Sequence, residues 1–247
     1  DRFKTVQIRA NFKRPIKKDE ITKRNFLNDL LINSTKNYPT IRDLEIETEN
    51  LYNFGVSSNC YKSGNYSVMS LSCVFLNEKY TEKGMLNDSI KFFFEFIFNP
   101  NIENNKFDKS SFEYTKECLK TYIESIKDNP GPYSIQRLRD EMDKDNPMSY
   151  HSSGYIDDLD KISYENLYEY YLDVLKNDVV DIFVIGDVLE DEIIKIFNKY
   201  VLFDRKQPKY KISHMITKCN DRKDINEIKD ESSFNQSKLC VGLNVSD

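Results

Sequence analysis

Histidine is scarce in this chain of 247 residues, which contains only His151 and His214. This count excludes mechanisms that need several imidazoles, such as a zinc centre held by three histidines. The two histidines are single and far apart in sequence, and no Ser-His-Asp or Cys-His pattern can be assembled from them. We therefore expect a hydrogen-bonding role for His151, which lies in a serine-rich loop, rather than a catalytic one.

Cysteine is also sparse, and its spacing excludes the usual cysteine-built sites. The five cysteines are odd in number, widely separated and without a C-x-x-C pair: Cys60, Cys73, Cys118, Cys219 and Cys240. This favours reduced thiols in a cytoplasmic protein over a disulfide framework or a zinc knuckle. No signal-peptide pattern is present, and because the first methionine is Met69, we expect the chain to be a piece of a longer protein.

Long apolar runs and basic clusters are missing as well. The best candidate for an apolar run, Ile90–Phe98, is interrupted by Lys91 and Glu95, whereas a membrane helix needs about 18 consecutive apolar residues. The 36 basic residues are interspersed among 41 acidic ones, for a formal net charge of -5. We therefore expect neither a membrane nor a nucleic acid as the partner.

The hydrophobic pattern predicts a folded α+β domain. Alternating apolar residues predict strands at Thr5–Phe12 and Tyr66–Leu76, the second of them apolar on one side and mixed on the other. The apolar run Leu86–Phe98 predicts a deeply buried helix, and Phe107–Ile126 predicts a long amphipathic one. Val179–Gly186 is almost continuously apolar, which predicts a central strand.

The chain divides into three parts by composition. Residues 1–203 form the predicted α+β domain, and residues 204–235 are a charged segment without periodicity, typical of a linker. From residue 236 to the end, Leu239, Val241 and Leu243 alternate with polar or small residues. This segment predicts the first strand of a second domain.

Three patterns favour structural roles over functional ones. The aromatic stripe from Tyr164 to Leu175, in a helix that Ser163 caps, is typical of a core. Gly186-Asp187 follows a strand but lacks the G-x-G-x-x-G loop of nucleotide sites, which indicates a strand end. The acidic run from Asp140 to Asp145 is typical of a solvated helix end.

The stretch Thr22–Thr40 predicts a helix with Thr22 as its N-cap. On that helix Asn25, Asn28 and Asp29 stand at i, i+3 and i+4 and therefore share one face. Zinc peptidases use similar helical spacing for two histidine ligands and a glutamate base. From the residues alone, a solvated polar face is the simplest interpretation.

The order of elements and three short motifs resemble the first domain of the insulinase/pitrilysin family of zinc peptidases. Asn25–Asp29 (N-F-L-N-D) resembles the family's H-F-L-E-H, Gly55–Cys60 (G-V-S-S-N-C) its G-A-x-x-N-A, and Ile97–Pro100 (I-F-N-P) its I-F-x-P. The resemblance covers nearly the whole chain. It implies an α+β fold with a mixed, largely antiparallel sheet and helices packed on one face, the insulinase/mitochondrial-processing-peptidase-like metallohydrolase fold.

The resemblance also implies that the zinc chemistry is lost. Asn25 and Asp29 replace the two histidine ligands, Asn28 replaces the general-base glutamate, and Glu113, or alternatively Glu117, matches the third ligand. Amides and carboxylates make a poor zinc site, and an amide cannot take a proton from water. We therefore expect no catalytic residue, no cofactor and no metal, although a Mg²⁺ or Ca²⁺ site through Asp29 and Glu113 stays an alternative.

Such a chain resembles the non-catalytic, bacterial YfmF-like members of the family. The resemblance implies an active homologue with an intact H-x-x-E-H motif as partner, and an extended polypeptide bound or enclosed by the pair. If Tyr66–Leu76 formed a sheet edge, it could accept such a peptide. Two other functions stay open, an active metallopeptidase with a non-standard metal site and a scaffold protein that binds no peptide.

Overall fold

The computed structural model describes residues 3–142, 146–205, 207–211, 225–231 and 235–243. The strands are β1 (Thr5–Pro15), β2 (Gly55–Ser63), β3 (Tyr66–Leu76), β4 (Ile102–Glu103), β5 (Lys106–Phe107) and β6 (Val179–Ile185). The helices are α1 (Lys18–Leu31), α2 (Ile41–Asn50), α3 (Met85–Phe98), α4 (Lys109–Ser125), α5 (Pro130–Met142), α6 (Ile156–Leu159), α7 (Tyr164–Asn177) and α8 (Glu190–Tyr200). None of the helices in these ranges is both long and apolar enough to cross a membrane.

The main sheet has the strand order β2-β3-β1-β6, and each neighbouring pair is antiparallel. The side chains of β1 alternate as predicted, and those that face the helices are almost fully buried: Val6, Ile8, Ala10 and Phe12. Because successive residues of a strand point to opposite faces, one face of the sheet carries the core. The predicted α+β fold is confirmed.

The helix α3 fills the core with phenylalanine. Phe92, Phe93, Phe94 and Phe96 are at most 2% exposed, and they pack edge-on against one another and against α8. The helix ends just before Pro100, which has no N–H to donate and disfavours helical geometry in the residue before it. The prediction of a deeply buried helix is confirmed.

The helix α1 begins four residues before the predicted N-cap. Thr22 is fully buried inside the helix, and the N-cap position is Lys17, whose side chain makes no capping hydrogen bond. The Thr22 hydroxyl instead accepts a hydrogen bond from the backbone N–H of Tyr155 at 2.9 Å. The helix also ends earlier than predicted, at Leu31. Thr22 as N-cap was wrong because a distant loop, rather than the helix, uses its oxygen.

Two buried arginines join α1 to the sheet through one shared carboxylate. Arg14 Nε lies 2.6 Å from Asp178 Oδ1, and Arg24 Nη2 lies 2.7 Å from Asp178 Oδ2. Both guanidinium groups are 1% exposed and the carboxylate is fully buried. Glu20 accepts from Arg14 at 2.8 Å, which adds a second negative charge. This network fixes the position of α1 relative to β1 and to the start of β6.

The fold corrects one sequence prediction about strands and leaves another untested. β6 is an edge strand of the described sheet rather than a central one, and its Phe183 and Ile185 are 50% and 64% exposed. Although the strand is apolar on both faces, only one of its faces is covered. Described residues 235–243 form no strand, because they pair with no neighbouring strand, and Leu239, Val241 and Leu243 are largely exposed. The division into a domain, a linker and a second domain stays a prediction.

The tyrosine-rich helix α7 belongs to the core, as predicted for most of its apolar stripe. Leu167 and Tyr171 are buried, and the Tyr171 hydroxyl donates to the carbonyl of Ile97 at 2.8 Å. Leu172 is the exception and is largely exposed.

Gly186 follows the end of β6 and lies so close to Val6 that an added Cβ would approach its atoms to 3.1 Å.

Candidate functional site

The polar face of α1 is covered by a loop and by the strands β2 and β3. We call residues 146–155 the covering loop. The side-chain amide of Asn25 donates to the carbonyl of Ile21 at 2.9 Å, within its own helix, and to the carbonyl of Ser152, in the covering loop, at 2.8 Å. Asn25 is therefore a structural link to the loop. Its nitrogen has no lone pair to offer to a metal.

Asn28, at the position of the general base in the resemblance, is completely buried. Its side-chain N–H lies 3.4 Å from the carbonyl of Ser70 on β3, and its Oδ1 has no hydrogen-bond partner in the described part of the chain. A buried polar atom without a partner lowers the free energy of unfolding. An amide has no basic site at neutral pH, so this side chain cannot activate water.

Asp29 is bound to the neighbouring strand rather than directed into an open site. The Ser58 hydroxyl on β2 donates to its Oδ1 at 2.6 Å. Burial raises the pKa of this carboxyl above its ordinary value, and the Ser58 hydrogen bond opposes that rise. The next inward-facing residue of β2, Cys60, has its thiol 3.7 Å from the carbonyl of Arg24. Burial raises the pKa of this thiol to about 12, so it stays protonated.

The predicted third-ligand candidates do not complete a metal site. Glu113 is exposed on α4 and accepts a hydrogen bond from the Tyr164 hydroxyl, and Glu117 is also exposed. No group of three or more His, Cys, Asp or Glu side chains within the described ranges is placed to hold a metal ion. The donor set on α1, two amides and one carboxylate, does not fit Zn²⁺, which prefers imidazole and thiolate.

The covering loop is anchored at both ends; the sequence predicted a loop around His151 but not its packing on α1. Gly154 adopts a φ of +91° and lies so close to Thr22 that an added Cβ would be 2.5 Å from its hydroxyl. Lys62, at the end of β2, donates to the carbonyls of Met148 at 2.8 Å and Tyr150 at 2.5 Å. The one sequence signal was the glycine, since a position with positive φ favours it.

His151 makes hydrogen bonds within this region, the role expected from the sequence. Its Nε2 lies 2.8 Å from Asp140 Oδ1, and its ring stacks on Tyr155. The nearby Gln136 amide lies 2.9 Å from Nδ1. His214, Cys219 and residues 143–145 of the acidic run lie outside the described residues.

The sheet edge beside α1 is β2 rather than β3. β3 lies between β2 and β1, so its backbone groups are paired on both sides, and Tyr66–Leu76 cannot accept a peptide. In the described sheet β2 has one paired side and one free side. Its inward-facing residues contact α1 through Ser58 and Cys60. The sequence did not show which strand forms this edge, because strand order depends on contacts between distant segments.

A curated relative and a solved structure match this chain at 30% identity or more. A Bacillus subtilis (strain 168) protein named "Probable inactive metalloprotease YmfF" is 31% identical over 249 residues, which span all of this chain and 58% of the relative. YmfF, rather than YfmF, is therefore the name of the bacterial relative. The structure of a conserved protein from Enterococcus faecalis V583 is 30% identical with a TM-score of 0.79, covering 85% of this chain and 50% of that one.

More distant structures show the fold alone. The periplasmic protease PqqL from Escherichia coli is 17% identical with a TM-score of 0.63, covering 87% of this chain and 22% of that one. A protease from Helicobacter pylori is 15% identical with a TM-score of 0.61, covering 80% and 45% respectively. No family model matches the chain. The chain spans roughly half the length of the Bacillus and Enterococcus relatives.

Proposed function

We propose that this homologue of the insulinase-type metallopeptidases is a non-catalytic subunit that binds an extended polypeptide and pairs with an active homologue. The observation that carries the proposal is the motif face of α1, where Asn25, Asn28 and Asp29 stand at the positions that the resemblance assigns to the ligands and the base. The relative's name, a probable inactive metalloprotease, supports the non-catalytic half of the proposal.

Each of the three positions has taken a structural role instead of a chemical one. The Asn25 amide holds the covering loop, the Asn28 amide lies against β3, and the Asp29 carboxylate accepts from Ser58. These contacts use the face that would otherwise hold a metal-bound water. In this proposal, side chains that contact the loop and the strands stand in place of catalytic groups, so the helix keeps its position but does not support hydrolysis.

The free side of β2 supports the polypeptide-binding half of the proposal. An edge strand presents N–H and C=O groups that an extended peptide can pair with, and this pairing needs no metal. The outward-facing side chains of β2 are polar or amphipathic, namely Ser57, Asn59 and Tyr61. A peptide added here would lie beside α1, because β2 contacts that helix directly.

Pairing with an active homologue and a cytoplasmic location complete the proposal. A subunit that binds polypeptide without cleaving it contributes to proteolysis only beside a chain that has the H-x-x-E-H ligands. The thiols Cys60, Cys73, Cys118 and Cys240 are free in the structure. Free thiols are typical of a reducing compartment, which supports the location.

Two measurements on the purified chain test the proposal: its metal content and its peptide turnover. Both are made on the chain alone and on the chain mixed with a homologue from the same genome that has an intact H-x-x-E-H motif. We expect no stoichiometric zinc and no peptide cleavage from the chain alone, and a stable complex with the homologue on gel filtration. Cleavage by the pure chain that a chelator abolishes would instead favour an active metallopeptidase. A stable complex without any peptide binding would favour a scaffold.

Backbone methylation of the peptide tests the binding mode. In an antiparallel pair the N–H groups of alternate residues point to the neighbouring strand. We expect a peptide N-methylated at one set of alternate residues to lose binding, and the same peptide methylated at the other set to keep it. Equal losses for both sets would show that the peptide does not add to β2 as a strand.

A further inference from the structure

A groove of about 340 Å³ lies between α4, α5 and the covering loop. One wall is apolar and unusually exposed, since Tyr122 is 59% and Ile135 is 46% exposed, with Ile126 half-buried between them. The groove is large enough for two or three side chains of a peptide. It lies outside the motif face of α1.

The polar side of the groove contains donors that the described residues leave unused. Arg139 is exposed and makes no hydrogen bond or ion pair within the described residues. The hydroxyls of Ser152 and Ser153, at the other side, likewise have no hydrogen-bond partner there. By contrast, His151 and Gln136 bond to each other, so they offer less to a ligand. A guanidinium with two hydroxyls is a donor set suited to an oxyanion.

Arg139 lines the groove, and a second cation, Lys62, lies nearby. Arg139 lies close enough to Lys62 to contribute to lowering the pKa of that amine, although burial is the larger cause and the two together lower it to about 8. The nearby acidic group Asp140 is already bound to His151 at 2.8 Å and lies 3.7 Å from Arg137. Among the described residues, a bound anion would therefore meet Arg139 with Lys62 nearby, and the Asp140 carboxylate already faces His151 and Arg137.

The covering loop connects the groove to the proposed peptide-binding edge. Lys62 stands near the end of β2, and its amine holds the covering loop through the carbonyls of Met148 and Tyr150. Ser152, in the same loop, is bound to Asn25 on α1. A peptide lying along β2 toward its Lys62 end thus arrives at the loop that forms one side of the groove.

We propose that this groove binds a carboxylate of the polypeptide held on β2, with the neighbouring apolar side chain of that peptide against Tyr122 and Ile135. Arg139 and the hydroxyls of Ser152 and Ser153 are the carboxylate's partners. The inference rests on the proposed polypeptide-binding function. The carboxylate is either the C-terminus of the peptide or an acidic side chain, since both offer the same pair of oxygens.

Three fluorescent peptide libraries test the inference. Each consists of randomised peptides of about eight residues, without Asp or Glu at the random positions, long enough to add to a strand and reach a pocket. One library ends in a free carboxylate, the second in an amide, and the third in an amide preceded by a fixed glutamate. We expect the free-acid library, the glutamate library or both to bind the chain about tenfold more tightly than the plain amide.

Arg139→Gln should abolish this preference, and Ser152→Ala combined with Ser153→Ala should reduce it. Arg9→Gln is the matched control, because Arg9 is an exposed arginine on the sheet, away from the groove. It should keep the preference in full. In nuclear magnetic resonance titrations of wild type, the carboxylate library that binds more tightly should raise the pKa of Lys62 above about 8.

The outcomes separate the two proposals. Preference for the free acid alone assigns the C-terminus, and equal preference for the glutamate library assigns a side chain as well. Equal binding of all three libraries, or a preference that survives Arg139→Gln, overturns the groove while leaving binding to β2 intact. Failure of every library to bind overturns the polypeptide-binding function itself.

Discussion

Asp29 keeps a carboxylate where the resemblance implies a histidine, in surroundings that disfavour its charge. Within the described ranges it has one hydrogen bond, from Ser58, and burial raises its pKa. The position and spacing of Asp29 could be predicted from the sequence, because they follow from the helix and the motif. Its partner could not, because Ser58 lies on another element and the contact depends on how β2 packs on α1.

We expect Asp29→Asn to raise the free energy of unfolding at neutral pH by about 1 kcal/mol. The folded-state pKa of Asp29 is above the ordinary value of 3.8, so between these two pKa values the folded state binds more proton than the unfolded state. Wild-type stability is therefore lost as pH rises from 3.8 through the folded pKa. The variant lacks this loss, and urea unfolding at several pH values measures the difference.

The difference between Asp29→Asn and wild type should be small below pH 3.8 and constant above the folded pKa. Asp128→Asn, which removes an exposed carboxylate, is the control and should show no such pH-dependent gain. A variant that is less stable than wild type at neutral pH would mean that the Ser58 hydrogen bond stabilises the Asp29 charge by more than burial disfavours it.

At the scale of elements, the fit between α1 and the covering loop depends on one glycine. Gly154 has positive φ, and an added Cβ would meet the backbone of Thr22 at 2.7 Å. Gly154→Ala should therefore lower the free energy of unfolding by roughly 2 kcal/mol or more, since strain and overlap add. It should also speed hydrogen exchange in the loop, which mass spectrometry can follow.

Gly64→Ala is the matched control for Gly154→Ala. Gly64 also has positive φ, +56°, but nothing lies within 4 Å of an added Cβ. It should cost only about 1 kcal/mol, the backbone penalty alone. If both variants lost the same stability, the close contact with Thr22 would contribute nothing.

Element boundaries were predictable where the signal is local. The predicted cap Ser163 accepts from the N–H of Asn166 at the start of α7, and Thr40 with Asp43 forms a capping box at the start of α2. Boundaries set by tertiary contacts were missed. The start of α1 was misplaced because Thr22 bonds to a loop more than a hundred residues away. The central position predicted for β6 was wrong because the apolar side chains on its outer face, Phe183 and Ile185, stay exposed.

At the scale of the whole molecule, the motif face of α1, the helix α4 and the covering loop pack together in a way that leaves no suitable geometry for a zinc ion among the described residues. We expect the triple variant Asn25→His, Asn28→Glu and Asp29→His to bind less than stoichiometric zinc and to cleave no peptide. The Ser152 carbonyl contacts position 25, position 28 is fully buried, and Glu113 is bound to Tyr164. Metal analysis after gel filtration and a peptide assay measure both expectations.

Wild type and Asn25→Ala, prepared in parallel, give the background metal content for the triple variant. One zinc per chain with measurable turnover in the variant would show that the motif alone, and not the surrounding elements, was lost.

The overall α+β architecture could be predicted because hydrophobic periodicity is carried by every element. The placement of the covering loop over α1 could not, because neither its anchors nor its position leave a periodic signal.

The buried network of Arg14, Arg24 and Asp178 has a consequence for biosynthesis. The carboxylate is 164 and 154 residues away from the two arginines along the chain, so both guanidinium groups leave the ribosome long before their partner is made. Until then Glu20 is the only network carboxylate near them in sequence, and two buried cations with a single counter-charge are strongly unfavourable. We expect nascent chains stalled before Asp178 to stay protease-sensitive around α1, and chains that extend well beyond β6 to become resistant.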